Sequence, residues 1–417
     1  VRRRMRILLI SDYFPPYVVG GAEISAYNLA IGLSKLGHDV SVLTRVPEKT
    51  EFSGDFTVYT VRFKKKESIL HYRLHTGILS SLSMSRGLAD LLRKEDFDVI
   101  HAHNWISACS VMHVRRRMKI PPSILSIRDY RYFCPSLYGW CLVQSPKIKC
   151  NLIKTVMCAY RYSSASVLTK VAGIIPYALL RDSSRKMLEE SLEAFDAYIT
   201  NSNFVRKVVL NNLNLDNVYT VYNSVDTEKF NIGSGGDENG IKILYAGRFD
   251  TGKGVEYLIG AIPEVIREHD CIFVFVGGGA LRKWAENLAR KAGGSRVVFE
   301  GFVPYERINR YYQLCDIVVV PSVWPEPFGR SVIEAMACGK PVVATRVGGI
   351  PEIVEDGRTG LLIEPANSKE IANAINTLVD RVKRKKMGKL ARKVVERKYN
   401  IEVITGKVLE VYEKFLR

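Results

Sequence analysis

Five apolar runs of strand length, IKILYAG, CIFVFVG, RVVFEG, DIVVVPS and KPVVAT, follow one another between residues 241 and 345, with helical stretches between them. A strand that is apolar on both faces needs cover on both, and helices alternating with such strands supply it. The series predicts an α/β unit with a doubly wound parallel sheet. In such sheets ligands bind at the carboxyl ends of the strands. The polar or glycine-rich residues that close each run are therefore the candidate functional positions.

An earlier series repeats the form. RILLIS is followed by the turn DYFPPYVVGGAE, the helical pattern ISAYNLAIGLSKLG with Gly37 as its C-cap, and the strand HDVSVLT. DFDVIHAHN and PPSILSIRD are further strands ending in polar loops; the pattern weakens across 130–180 and resumes at EAFDAYITNS. A chain of 417 residues exceeds the roughly 250–300 that one core usually serves. We therefore expect two such domains, 1–196 and 197–399, with the segment 400–417 forming a C-terminal helix that crosses back onto the first. The joints near 196–202 and 400–416 are the expected hinge.

Composition excludes a disordered chain: 47% of residues are hydrophobic and 25% charged. The net charge of +18 favours an anionic partner. Residues 99–188 carry fourteen Lys/Arg against two acids. The basic start VRRRMRILLISDY has too short an apolar core for a secretory signal, and the apolar stretch 164–180 is broken by Lys170 and Pro176. The expected location is cytoplasmic, with peripheral contact to an anionic membrane surface. Nucleic acid is not among the expected partners.

Two motifs mislead. GRFDTGKG (247–254) ends in Gly254 where a phosphate loop needs a magnesium-holding hydroxyl, which rules out an NTPase reading. FVGGGALRKW opens like a dinucleotide fingerprint, but Arg282 occupies the place of the third glycine. Together they still put Arg248, Lys253 and a glycine turn at strand ends, where a diphosphate can sit. EPFGRSVIE (326–334) adds two carboxylates eight positions apart. If Gly329 opens a helix, Glu334 lies within it, Glu326 lies in the loop before it, and bare N–H groups face the space between.

GRFDTGKG, VGGG, FEGFVP, the long stretch VVVPSVWPEPFGRSVIEAMACGKPVVATRVGGIPEIVEDGRTGLL and FPPYVVGGAE together resemble a family-four retaining glycosyltransferase of the two-domain GT-B fold. The resemblance is dense over 197–365, fair over 5–130 and poor over 131–185. It implies two Rossmann-like domains facing across a cleft, and transfer of a sugar from an NDP-sugar, UDP- or GDP-linked, without a catalytic metal or cofactor. It further implies that Glu334 accepts from the ribose hydroxyls and Glu326 from those of the donor sugar. Phe328, Gly329, Arg330 and Ser331 would line sugar and phosphates with backbone groups. Arg248 and Lys253 would neutralise the leaving diphosphate, and Gly277 and Gly278 would lie beside it. Gly20 and Gly21 would approach the phosphates from the first domain, and the main chain near Phe302 and Val303 would meet the base.

His103 matches the family's polar position near the acceptor. His101 is expected in the core, and the two histidines on opposite faces of the strand. The loop after ILSI departs from the family: Arg128-Asp129 stands where His-Asp is usual, so an imidazole that contacts the donor sugar is replaced by a permanent cation. Arg128 would recognise a carboxylated sugar or point toward an anionic acceptor.

Cys134, Cys141, Cys150 and Cys158 are spaced too widely for the usual zinc pairs; reduced thiols are the first expectation, with disulfides or metal as alternatives. Segment 131–185 combines basic residues, Tyr138, Trp140, Tyr160, Tyr162 and an apolar run. It is the expected acceptor side, for a lipid-linked or glycan acceptor. Two other readings stay open: a nucleotide-sugar epimerase-type enzyme, and an inactive relative that only binds.

Overall fold

The computed structural model describes residues 3–18, 20–48, 50–63, 76–134, 140–143, 154, 157, 186–233 and 240–416. The first sheet contains β1 (Arg6–Ser11), β2 (Asp39–Val46), β3 (Thr57–Arg62), β4 (Val99–Ala102), β5 (Ser123–Ile127), β6 (Ala197–Thr200) and β7 (Val218–Thr220). Their order is β3-β2-β1-β4-β5-β6-β7, and every pairing is parallel. The second contains β8 (Ile241–Ala246), β9 (Cys271–Val276), β10 (Val297–Gly301), β11 (Ile317–Val320), β12 (Val342–Thr345) and β13 (Gly360–Ile363). It runs β10-β9-β8-β11-β12-β13, again all parallel. Strand order reverses between β1 and β4 in one sheet and between β8 and β11 in the other. Each reversal opens a crevice at the carboxyl ends.

The helices are α1 (Gly21–Lys35), α2 (Thr76–Leu92), α3 (Trp105–Arg115), α4 (Asn203–Asn212), α5 (Val255–Glu268), α6 (Arg282–Gly293), α7 (Ile308–Leu314), α8 (Arg330–Ala337), α9 (Ser368–Val379), α10 (Arg381–Lys398) and α11 (Ile401–Glu413). They cover both faces of both sheets, and each sheet contributes to two buried apolar clusters, one on either side. Two doubly wound domains of seven and six strands make the GT-B architecture.

The boundary expected at 196 is corrected. β6 pairs with β5 and β7 with β6, so residues 197–220 complete the first sheet. The strand AYIT is as apolar as those of the second series and follows a long weak stretch, so periodicity alone assigned it to the wrong sheet. The crossing lies after Thr220, where Val225 donates to the carbonyl of Tyr399 at 2.9 Å and bridges Asn400. The outgoing and returning chains therefore run side by side, and 196–202 belongs to the first domain, not to a hinge.

Beyond Asn400, α11 packs on α1. Ile404, Val408, Leu409, Val411 and Tyr412 join the core under the first sheet. The approach is close because residue 32 is glycine: a Cβ there would stand 2.0 Å from Thr405 Oγ1 and 2.8 Å from Ile401 Cγ2. Among the described residues no helix is long and apolar enough to cross a membrane. Most of 131–185, including Cys150, Cys158 and the apolar run, lies outside the described residues; Cys134 is buried and Cys141 exposed.

Candidate active site

The second domain's crevice is built by three loops that lock together through backbone. The loop 247–254 follows β8, 321–329 follows β11, and 346–350 follows β12. Gly254, at φ 63°, sits where a Cβ would come within 2.0 Å of the Pro321 carbonyl oxygen. Gly348, at φ 57°, has the same relation to the carbonyl of Glu326, which also accepts from Gly349 N–H at 2.8 Å. Only glycine satisfies both the left-handed backbone and the close approach at these points. The result fixes residues 253 and 326 against each other.

Lys253 Nζ stands 2.5 Å from Glu326 Oε1, and Ser322 Oγ donates to the same oxygen at 2.6 Å. Burial pushes the Glu326 carboxyl up, but the Lys253 ammonium and the Ser322 hydroxyl outweigh it, so its pKa lies below the usual range. Glu326 is therefore a carboxylate at neutral pH. Lys253 also lies 5.2 Å from the centre of the Trp324 ring. Arg248 is exposed and pairs with Asp250 at 3.3 Å.

Gly329, at φ 111°, caps α8, leaving the first N–H groups of that helix directed at the crevice. Glu334 is buried within α8; Tyr312 Oη donates to its Oε2 at 3.0 Å, and Oε1 is buried without a partner. Burial raises its pKa to about 6, against the pull of Arg330 and Tyr312. The Phe328 ring is buried against Tyr222 and Tyr399 at the crossing, so only its backbone is offered to the crevice.

Gly277 and Gly278 hold the turn after β9 against the 247–254 loop. A Cβ at Gly277 would stand 1.9 Å from Gly247 O, and Phe249 N–H donates to Gly278 O at 2.9 Å. Phe302 is 76% exposed beside Gly278, with Val303 half-buried next to it.

Across the cleft, the first domain presents Gly20 and Gly21 at the start of α1, where Gly20 N–H donates to Glu23 Oε2 at 2.8 Å. Arg330 reaches over from α8, donating to the carbonyls of Ser224 at 3.2 Å and Gly21 at 3.3 Å and to the Ser25 hydroxyl. Tyr130 donates to the Pro325 carbonyl, Ser202 to that of Pro327 at 2.6 Å, and Glu352 accepts the N–H groups of Asn203 and Phe204 at 2.8 and 2.7 Å. These contacts seat the start of α1 and the loop after β5 against the 321–329 loop and the start of α8.

The histidine expectation is corrected in one respect. His101 and His103 share a face, with rings 4.2 Å apart, because residues two apart in a strand point the same way. His101 is core: Nδ1 meets Tyr412 Oη at 2.7 Å and Nε2 meets Ser126 Oγ at 2.8 Å. His103, 1% exposed, has no partner on either nitrogen, and burial keeps it neutral. Arg128 donates to Asn223 Oδ1 and, at 3.3 Å, to Ser126 Oγ. Burial and then Arg330 lower its pKa to about 9, which leaves it charged at neutral pH. Asp129 is half-buried and accepts from Arg131 N–H at 3.0 Å.

Sequence reasoning missed Asp12. It closes β1 at the first crevice, buried and 2.8 Å from Arg45 Nε, and burial raises its pKa to about 6 despite that partner. Its signal was present: a polar residue directly after a strand, as His103 is. Ser25 and Asn223 carry no such signal; only packing brings them to the cleft.

Residues 19–136 match Glycosyltransferase Family 4, and residues 226–394 match Glycosyl transferases group 1. An uncharacterized glycosyltransferase of Methanocaldococcus jannaschii is 30% identical over 98% of both chains. The chain belongs to the family-4 glycosyltransferases. Glycogen synthase of Mycobacterium tuberculosis is 26% identical, over 90% of this glycosyltransferase and 86% of the relative. Among solved structures, sucrose-phosphate synthase from Thermosynechococcus elongatus superposes with a TM-score of 0.76 at 24% identity, covering 99% of each chain. Anabaena HepE, in complex with UDP and glucose, gives 0.66 at 21% identity, over 98% of this chain and all of that one. These two structures share the GT-B fold.

Proposed function

We propose that this glycosyltransferase moves a sugar from a nucleoside diphosphate to an acceptor held by the first domain, with retention at the anomeric carbon and without a metal. The observation that carries the reading is the Lys253–Glu326 pair at the β8/β11 switch point, beside the open N-terminus of α8, whose Arg330 donates to the Gly21 carbonyl. One structural relative, Anabaena HepE, crystallised with UDP and glucose and with UDP-glucose, supports a nucleotide-sugar donor.

In this reading Glu334 accepts from the ribose hydroxyls through its unpartnered Oε1, and Glu326 accepts from the donor sugar. The bond from the anomeric carbon to the phosphate oxygen breaks, and its electron pair leaves with the diphosphate. Lys253, Arg248 and the α8 N–H groups receive that charge in place of a metal ion. The acceptor hydroxyl oxygen bonds to the anomeric carbon, and its proton passes to the departing phosphate. His103 faces the acceptor as a neutral imidazole. A lipid-linked or glycan acceptor fits the basic composition of 131–185.

The test is turnover with a panel of nucleotide-sugars in EDTA, with the product anomer assigned by NMR. Retained configuration and full rate in EDTA are expected. Inverted product, or a rate restored only by manganese, overturns the mechanism; donor binding without turnover on any acceptor favours a binding protein.

A further inference from the structure

Two guanidinium groups meet at the cleft from opposite domains, and of the two only Arg330 acts on a carboxylate, that of Glu334. Arg330 donates to Ser25 Oγ, Ser25 Oγ donates to Asn223 Oδ1 at 3.2 Å, and Arg128 donates to that same Asn223 oxygen. The two cations are thus linked through one hydroxyl and one amide, close enough for Arg330 to disfavour the charge on Arg128. Every partner of both side chains is a neutral oxygen. Among the described residues neither makes an ion pair, and the Nε of each is buried without a partner. Holding like charges together where they are partly buried is costly, and folded proteins ordinarily offset it with a carboxylate. Glu334 offsets Arg330, and for Arg128 the compensating anion has to come from a ligand.

One anion is already accounted for. Arg330 opens α8 and touches Gly21, so it belongs with the diphosphate. Arg128 lies on the other side of Asn223, in a loop whose Tyr130 bonds the Pro325 carbonyl, immediately before Glu326. It therefore stands toward the sugar end of the donor, near enough to the unpartnered His103 for its charge to act there. A guanidinium fork matches a carboxylate in two parallel hydrogen bonds, which a neutral hydroxymethyl group cannot return.

We propose that Arg128 binds a carboxylate on the sugar being transferred, so that the donor is a nucleoside diphosphate hexuronate. This rests on the nucleotide-sugar reading above and narrows it to one substrate class. Calorimetry without acceptor tests it, first with UDP, GDP and ADP, then with the neutral hexose and the hexuronate of whichever nucleotide binds most tightly.

The wild-type protein should prefer the hexuronate about tenfold or more. Arg128→Gln should bring the two donors within about twofold while affinity for the free nucleotide is held. Arg128→Lys, which keeps the charge without the fork, should retain part of the preference, and Arg330→Gln should weaken the free nucleotide and leave the preference intact. Equal binding of the two donors by the wild type overturns the proposal. So does an Arg128→Gln variant that loses free nucleotide and both donors alike, which would assign Arg128 to the diphosphate. A preference for acidic groups seen only once acceptor is added places the carboxylate on the acceptor and also overturns it. If no nucleotide binds, the nucleotide-sugar reading itself fails, and the proposal falls with it.

Discussion

Lys253 Nζ and Glu326 Oε1 lie 2.5 Å apart although 73 residues separate them in sequence. The pair forms because β8 and β11 are neighbours at the reversal of the second sheet, which brings the loops after both strands into one crevice.

Breaking this pair should separate function from folding. Glu326→Gln and Lys253→Ala should each lower kcat by about 10²–10³, the usual cost of losing one charge-stabilising group at a reacting centre. Lys253→Ala should also lower Tm, because it strands a buried carboxylate. Steady-state kinetics with thermal unfolding checks both; wild-type rates in both variants would remove the pair from the chemistry.

Glu334 predicts a pH dependence of donor binding. A carboxylate accepts from both ribose hydroxyls, whereas a protonated carboxyl must donate one of its own hydrogens. With the pKa near 6, affinity should be full above that value and fall as pH drops through it, approaching tenfold per unit. Calorimetry with an intact nucleotide-sugar avoids the terminal phosphate titration of a free diphosphate. Glu334→Gln should bind weakly with no slope, and an unchanged slope would assign the titration elsewhere.

Asp12 and Arg45 should respond unequally to removal. Folded Asp12 holds its proton more tightly than the unfolded chain does, so its contribution to stability is full below the ordinary aspartate value of 3.8 and is lost as pH rises through about 6. Asp12→Asn mimics the protonated form and should not lower Tm at neutral pH; relative to wild type it should lose ground as pH falls below 6. Arg45→Met leaves a buried carboxylate alone and should cost about 3–5 kcal/mol at neutral pH. Chemical denaturation at several pH values decides, and equal losses for the two variants would contradict the assignment.

Gly32 sets the seat of the C-terminal helix. Gly32→Ala drives a methyl group into Thr405 and Ile401, and overpacking of this kind costs about 1–3 kcal/mol. Combining it with Thr405→Ala should recover part of the loss, since the nearest clashing atom is removed. Losses that simply add in the double variant would show that the two helices do not meet there.

Apolar runs free of polar alternation marked the strands as buried on both faces, which made the two parallel sheets legible before any coordinates. The same runs pointed at their own carboxyl ends, and so at Glu326, Lys253 and His103. Where a strand goes once it leaves a long connection is not written in its own residues, and AYIT at 197–200 reads alike for either sheet. Hydrogen bonding to β5 assigned it.

Local sequence determined the elements, their parallel sense and the polar residues that close them, because side-chain period and strand apolarity are properties of neighbours along the chain. Tertiary structure alone decided that Arg128 and Arg330 share Ser25 and Asn223 with no acid between them. Those four residues come from α1, the loop after β5, the crossing and α8. The field each charge feels depends on what packing removes from water and brings alongside it, and that is fixed only when the two domains close over one cleft.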